Sequence, residues 1–545
     1  MKYLKTALSK KQTPQSQPIP GKAQARNSAG GYAFAVDDWT RLERFLVLGS
    51  EGGSYYASER TLTRENAAAV VRCMEVDGVR AVERIAQISE AGRAPKNDPA
   101  IFALAIAASS SKIETRRAAL RALPRVCRIG THLFHFAEYV DGMRGWGRAL
   151  RESIARWYNE MPAEKLAYQA VKYQQRDGWS HRDILRLSHP RPDGEQRRDL
   201  YHWITQGWPG IGDEPHPDAA LRTLWAFERA KTAVDVKQIV DLIDEYDLPR
   251  EAIPTNWLGE ARVWEALLAR MPMTAMIRNL ATMTRVGLLE SYEAVTHIVD
   301  ALADVKKIRS ARVHPIALLS ALKTYAQGHG DRGKNSWTPV RMIVDALDAA
   351  FYTAFENVEP TGKRWLLAMD VSGSMGGGFI AGVPGLTPRV ASAAMALVTA
   401  ASEKAYRTVA FTSGGRGYGG QWGGDPSALS ELAISPRQRL DDVLKTISDL
   451  PFGGTDCALP MVWAREKRVA VDVFVIYTDS ESWAGNIHPS QALDAYRQAM
   501  GIGAKLIVVG MVSNGFTIAD PNDAGMLDVV GFDTSTPSLM ADFAR

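Results

Sequence analysis

The sequence predicts a multidomain chain: an all-α array of stacked helix pairs followed by an α/β doubly wound sheet. Three observations carry the expectation. Between about residues 38 and 355, apolar residues recur at three- and four-residue spacing, the period of an amphipathic helix, and strand-like alternation is nearly absent. After Glu359-Pro360-Thr361-Gly362-Lys363 the pattern switches to short apolar runs alternating with helical stretches, as in a parallel sheet with helices on both faces. The first of those runs, Trp365-Leu366-Leu367-Ala368-Met369, leads into Asp370-Val371-Ser372-Gly373-Ser374 and then Gly376-Gly377-Gly378, which places the polar motif at the sheet edge where such folds bind ligands.

Taken in order, residues 1–30 read as a flexible basic tail. Lys2, Lys5, Lys10, Lys11, Lys22 and Arg26 occur with no acid before Asp37, and Gln, Pro, Ser and Gly fill the gaps. Residues 31–360 form the helical part, with amphipathic segments at Glu65–Glu75, Pro99–Ser110, Ile113–Arg121, Glu164–Gln175, Leu221–Lys231, Val236–Asp247, Val263–Ala269 and Pro339–Phe355. Short helices with short polar connections bury their apolar faces most simply by stacking in pairs, and no fixed-period consensus marks the repeat. Residues 361–545 form the α/β domain. Its strands are expected near 365–370, 407–412, 472–478 and 505–510, and its helices near 388–403, 437–448, 457–468 and 490–500. The glycine-rich stretch from Gly414 to Gly424 is expected to be a mobile loop.

At 545 residues, 46% apolar and 23% charged, the composition is that of a globular chain of two or more domains. No apolar run approaches the roughly 18 residues that span a bilayer. Lys10-Lys11-Gln12-Thr13-Pro14 comes too soon for the core of a secretion signal. Cys73, Cys127 and Cys457 are far apart and in no ligand spacing, which argues for a reducing compartment and against a disulfide framework or zinc site. The expected location is the cytoplasm, with no membrane partner. The net charge of +4 is unevenly spread: residues 361–545 hold 15 Lys and Arg against 18 Asp and Glu, and the 360 before them hold 50 against 43. The basic surface therefore belongs to the helical part.

Asp370, Ser372 and Ser374 offer one carboxylate and two hydroxyls at alternate positions, hard oxygen donors suited to one divalent cation, Mg²⁺, Mn²⁺ or Ca²⁺. Thr455, in Gly453-Gly454-Thr455-Asp456, adds a hydroxyl, and Asp479 adds a carboxylate at the end of the apolar run Val473–Tyr477. The bland alternative is a turn whose Asp and Ser cap the next helix. The order D-x-S-x-S, T, D resembles the metal-ion-dependent adhesion site of von Willebrand factor A domains, in which a partner's carboxylate often completes the coordination.

The candidate nucleic-acid surface lies between Arg144 and Arg191. Arg144, Arg148 and Arg151 recur at +4 and +3 and are expected on one helix face; Lys165, Gln169, Lys172 and Arg176 are expected to line a second polar stripe. Gly178 is read as ending that helix, and Ser180-His181-Arg182-Asp183 as a capping box opening the next, with Arg186 one turn beyond Arg182. A basic stripe beside a helix N-terminus suits a phosphate backbone; the alternative is a solvated charged face. Gly328-His329-Gly330-Asp331-Arg332-Gly333-Lys334-Asn335 nearly matches a nucleotide-binding loop, but Asn335 replaces the Mg²⁺-binding hydroxyl and no strand precedes it, which excludes an ATPase reading. No Ser-His-Asp order, carboxylate pair or Cys-His nucleophile site stands out, and the five metal-site residues lack an adjacent general base, so an enzyme is not expected.

The chain resembles the Ro ribonucleoprotein autoantigen family, which joins a TROVE module to a von Willebrand A domain. The likeness runs from about residue 30 to the end and is carried by RFLVLGSEGGSYY (44–56), THLFHF (131–136), WGRALR (146–151), KYQQRDGWSHRDILRLSH (172–189), GHGDRGK (328–334), EPTGKR (359–364), DVSGSM (370–375), GGTDCALPM (453–461) and SNGFTIADP (513–521). The resemblance implies a monomer whose HEAT-like helical repeats close into a ring. It also implies that small noncoding Y RNA binds the outer basic surface and that 3′ ends of misfolded or structured RNA, rRNA included, enter the central hole. A 3′-to-5′ exoribonuclease such as polynucleotide phosphorylase is the implied protein partner, and no DNA specificity is expected. Lys172, Arg176 and His181 are matched to the family's Y RNA-binding segment; Arg148, Arg151, Arg182 and Arg186 are added from helix geometry. The rival from another class is a metal-dependent protein-adhesion scaffold with incidental RNA binding.

Overall fold

The computed structural model describes residues 12–50, 56–208, 212, 214–311, 313–330, 335–354, 359–380, 386–413, 428–435, 438–448, 450 and 453–545. Residues 1–11, the glycine-rich stretch 414–424 and residues 331–334 therefore lie outside the described residues. The chain divides into two compact units. One takes in the described residues up to Ala69, Arg93–Pro95 and those from 359 on; the other holds Val70–Gly92 and Lys96–Ala354.

The second unit is helical, as its periodicity predicts. Pro99–Ser110 appears as Asp98–Ser109, Ile113–Arg121 as Ile113–Val126, Val236–Asp247 as Val236–Tyr246, and Pro339–Phe355 as Arg341–Thr353. Most of these helices bury one stripe, such as Leu221, Leu224 and Phe227 in the helix Ala219–Thr232 and Leu150, Ile154 and Trp157 in Arg148–Glu160, while Asp98–Ser109 is buried on nearly every side. The segment Glu164–Gln175 is shorter than expected, ending at Lys172.

In chain order the strands are β1 (Ala25–Arg26), β2 (Tyr32–Ala35), β3 (Gln175–Arg176), β4 (Trp179–Ser180), β5 (Arg364–Asp370), β6 (Ala405–Phe411), β7 (Leu429–Leu432), β8 (Val473–Thr478), β9 (Lys505–Gly510), β10 (Phe516–Thr517) and β11 (Met526–Val530). Six of them form the main sheet in the order β11-β9-β8-β5-β6-β7, parallel throughout except for the antiparallel edge pair β6–β7. Leu366, Ala368, Phe474, Ile476, Leu506 and Val508 face one core with Leu493 and Tyr496 of the helix Pro489–Met500. On the other side, Thr399 of the helix Pro388–Ser402 meets Tyr477, their hydroxyls 3.0 Å apart. Helices thus cover both faces, and strand order reverses at β5, the place where an open sheet of this kind leaves a ligand crevice. The expected strands and helices are present. The edge strands β7 and β11 went unread because their 4 and 5 residues alternate only weakly.

Two boundary expectations need correction. Residues 12–31 are not a tail: Gln15 is 0% and Asn27 5% exposed. β1 pairs with β2, and β2 pairs in turn with β10. The helical part does not begin at residue 31 either, because the helix Asp38–Leu48 belongs with the sheet unit. Its Arg44, wholly buried, holds Asp528 of β11 through two hydrogen bonds of 2.7 and 2.6 Å and donates to the Phe516 carbonyl at 2.8 Å. Burying a guanidinium is offset only where its donors are paired; here both Nη atoms are, while Nε has no hydrogen-bond partner among the described residues. The partners of the Nη atoms lie some 470 residues downstream.

Candidate functional site

Register brings the metal-site residues together. Met369 of β5 stands opposite Tyr477 of β8, so the two strands end side by side and release Asp370 and Asp479 into the same crevice. All five expected ligands are buried: Asp370 0%, Ser372 1%, Ser374 4%, Thr455 1% and Asp479 3% exposed. Asp370 accepts from the Ser372 amide at 2.9 Å and from Thr478 Oγ1 at 2.7 Å. The Ser372 and Ser374 hydroxyls lie 3.1 Å apart, and the Gly373 amide reaches the Gly453 carbonyl at 3.2 Å, which ties the D-x-S-x-S loop to the loop carrying Thr455.

The donor set fits a hard cation. Burial raises the Asp370 carboxyl above its ordinary range, against the lowering effect of hydrogen bonds from Ser372 and Thr478 and of the Arg389 charge. Asp479 is raised by burial first and then by the charges of Asp370 and Glu481. Among the described residues the buried Thr455 Oγ1 has no hydrogen-bond partner. Two carboxylates disfavoured by burial and mutual repulsion, beside an orphaned hydroxyl, are what a divalent cation satisfies. Among the described residues no group of three or more His, Cys, Asp or Glu is arranged to hold a metal, so an ion here would rest on two carboxylates and hydroxyls. The sequence reading missed the surroundings. Asn514 Nδ2 donates to the Asp479 carbonyl at 2.7 Å and to Glu481 Oε1 at 3.3 Å. Tyr56 is pushed up to about 12 by burial and then by Asp479.

In the helical unit the basic residues do not form one stripe. Arg148 and Arg151 are exposed on the helix Arg148–Glu160, but Arg144 is the residue that ends the preceding helix, Gly130–Met143. Arg148 and Arg151 line an open groove with Trp146, Arg156, His189 and Arg191. A neighbouring groove holds Arg116, Arg117 and Arg144 with Arg148 shared between the two. Arg182 and Arg186 are exposed on the helix His181–Ser188. Lys172 lies elsewhere, in a groove with Tyr168, Asp247, Arg250, Glu251 and Arg270, its ammonium 5.4 and 5.6 Å from the ring centres of Tyr168 and Tyr173. Gln169, expected beside it on the stripe, is instead buried and accepts from the Gly130 amide at 2.9 Å. Arg176 is exposed on a hairpin, not a helix. Asp177 (φ 51) and Gly178 (φ 80) make the two-residue turn with both φ positive that Asp-Gly favours, so Gly178 turns a hairpin where a helix stop was read. Trp179 of β4 anchors it, with Nε1 donating to Glu138 at 2.7 Å and its ring 5.7 Å from that of Trp146.

His181 is the clearest correction. The capping box is present, with Ser180 accepting from the Asp183 amide and Asp183 from the Ser180 amide, yet the histidine it introduces is 3% exposed. Its ring packs edge-on to Phe134 with centroids 4.8 Å apart, and Nδ1 lies 2.8 Å from the Tyr158 hydroxyl. So placed, the ring offers almost no surface to solvent for a phosphate or a base. Burial lowers its pKa to about 4, as burial first and the Arg128 charge next do for His132. Between the usual histidine value near 6.5 and about 4, the unfolded chain takes up protons that the folded chain refuses, so stability falls as pH falls through that window. His181→Ala is expected to cost about 3 kcal/mol in a urea melt, the scale of an emptied aromatic site, and to flatten that acid dependence. RNA affinity should keep its salt dependence.

The model for the Ro60 vWA domain matches residues 364–544, and that for the TROVE domain matches 25–207 and 247–324. The RNA-binding protein RO60 of Deinococcus radiodurans is 42% identical over 548 residues, covering 100% of this chain and 99% of that protein. This chain belongs to the Ro60 family. Another member, the RNA-binding protein RO60 of Caenorhabditis elegans, is 38% identical over 98% of this chain and 92% of its own length. The crystal structure of the Deinococcus radiodurans Ro protein, Rsr, aligns with a TM-score of 0.69 at 40% identity, covering 93% of this chain and 99% of that one. The helical region followed by a von Willebrand A domain is the Ro60 architecture. The TROVE match includes every candidate RNA-binding residue named above, from Arg148 to Arg186.

Proposed function

We propose that this chain is a non-catalytic RNA-binding protein acting in RNA quality control, processing or decay. The observation that carries the reading is the groove of the helical unit in which Arg148, Arg151, Arg156 and Arg191 gather beside His189 and Trp146. Guanidinium groups pair with phosphate oxygens, and an indole and an imidazole offer stacking faces for unpaired bases. Two Ro60 relatives that match nearly the whole chain are named RNA-binding proteins, which supports the same conclusion. In this reading small noncoding Y RNA lies against Arg148, Arg151, Arg176, Arg182 and Arg186, with Lys172 reaching it from a separate groove. Misfolded or structured RNA is the second ligand, and a 3′-to-5′ exoribonuclease such as polynucleotide phosphorylase acts on it. The cytoplasm is the proposed site; among the described residues no helix is long and apolar enough to cross a membrane.

Asp370, Ser372, Ser374, Thr455 and Asp479 would hold one divalent cation, Mg²⁺, Mn²⁺ or Ca²⁺. Such an ion supplies an electrophilic anchor for a partner's carboxylate. Crosslinking in cells followed by sequencing of the bound RNA tests the proposal. Enrichment of a few structured noncoding RNAs is expected. No enrichment over background, together with a protein partner captured independently of RNA and lost on chelation, would favour the adhesion-scaffold reading instead.

A further inference from the structure

The segment that crosses the sheet unit before β2 reaches the loops of the metal centre from one side. Gln15 lies in that strap with its side chain wholly buried. Its Nε2 donates to Asp456 Oδ1 at 2.7 Å and to the Ile487 carbonyl at 2.8 Å, and its Oε1 accepts from the Ser482 hydroxyl. Asp456 follows Thr455 directly, and Ser482 stands three residues after Asp479. One amide side chain therefore bridges the two loops that carry the expected ligands from outside β5.

The rest of the strap grips the same stretch. Asn27 Nδ2 donates to the Ser482 carbonyl at 2.9 Å, and the Ala29 amide donates to Glu481 Oε2 at 3.1 Å. Gln15 also holds the Gly485 carbonyl through its amide at 2.9 Å. A Cβ at Gly485 would run into Gln15 and Asp456, and one at Gly31 into Ser482 and Trp483, so the crossing leaves no room for a side chain at either glycine. The two loops are themselves joined, the Thr455 carbonyl accepting from the amides of Trp483 at 3.1 Å and Ala484 at 3.0 Å. The strap closes this arrangement, since every polar atom of the Gln15 side chain is spent on it.

We propose that the strap is the positioning element of the metal centre, with Gln15 as the positioning residue that sets Thr455 against Asp479. The inference rests on the metal-binding reading above and extends it to a residue more than 400 positions away in sequence. Outer partners that orient metal ligands typically carry about 10–100-fold in affinity. In the full-length chain, Gln15→Met, which keeps the volume but removes the hydrogen bonds, is therefore expected to weaken Mn²⁺ binding by about tenfold or more in an electron paramagnetic resonance titration. Amide exchange at 481–484 should quicken in the same variant, and RNA affinity should not change.

Asn27→Ala, which releases one grip on Ser482, should give a smaller loss in the same direction and serves as the second variant. Lys22→Ala removes the strap's ion pair with Asp520, 2.6 Å long, without touching the metal loops, and should bind Mn²⁺ as the wild type does. Wild-type affinity and exchange in both Gln15→Met and Asn27→Ala would overturn the positioning role while leaving the metal site standing. A wild-type chain that takes up no Mn²⁺ would overturn the metal reading and this inference with it.

Discussion

Asp370→Ala is expected to abolish divalent-cation binding while leaving RNA affinity within about threefold, or ~0.7 kcal/mol. Asp370, a proposed ligand, is wholly buried, and burial raises its carboxyl. Losing it removes one of two carboxylates, and the remaining hydroxyls are weak donors for Mg²⁺ or Mn²⁺. Thermal stability separates the states further. Wild type with Mn²⁺ at a hundred times its dissociation constant gains about 2.7 kcal/mol by linkage, and chelation removes that gain. In the variant, Mn²⁺ and chelator should give the same melting temperature. RNA binding should persist because the basic groove belongs to the other compact unit. A loss of RNA affinity of a hundredfold or more in a folded Asp370→Ala chain would show instead that the ion organises the RNA surface.

The second large effect is expected from Arg148→Ala, Arg151→Ala and Arg191→Ala combined. All three are exposed and line one groove, and the Arg148–Glu152 pair, 2.8 Å long but open to solvent, holds back little of that charge. Each cation withdrawn from a phosphate should lower the slope of log affinity against log salt by about 0.7 to 0.9, so the triple variant should lose about 2.1 to 2.7 in slope and more than tenfold in affinity at low salt. Fluorescence anisotropy with a labelled Y RNA, repeated across a salt series, reads both quantities. Lys172→Ala with Arg176→Ala should weaken binding less, since Lys172 shares its groove with Asp247 and Glu251. Melting temperatures should barely move in either set. An unchanged slope in the triple variant would mark the groove as an ordinary solvated face.

The gathering of Asp370, Ser372, Ser374, Thr455 and Asp479 at one end of the sheet was legible because its signal is local. Each of these residues stands at or just past the end of an apolar run, or in a glycine loop, and the strand-then-turn pattern alone puts such residues at the sheet edge. The capping box of Ser180 and Asp183 was legible for the same reason. The Asp177-Gly178 turn was equally local, but the helical stripe on either side hid it. Gln15 had no such signal. Its neighbours in sequence have the composition of a disordered tail, and its partner Asp456 lies 441 residues away.

What nearest neighbours in the chain dictate, they dictated here: helix against strand, caps, most element limits, and the residue types gathered at the ends of β5 and β8. Which face of an element is buried followed different rules. His181 and Arg182 are adjacent on one short helix, and one is sealed against Phe134 and Tyr158 while the other is open to solvent. The packing of the other helices made that choice and sent Arg148 and Lys172 to separate grooves, while hydrogen bonds to distant loops and pairing through β2 with β10 drew residues 12–31 onto the sheet unit. The physical reason is that backbone preference depends on a few successive residues, whereas burial depends on what stands opposite, and that partner comes from anywhere in the chain.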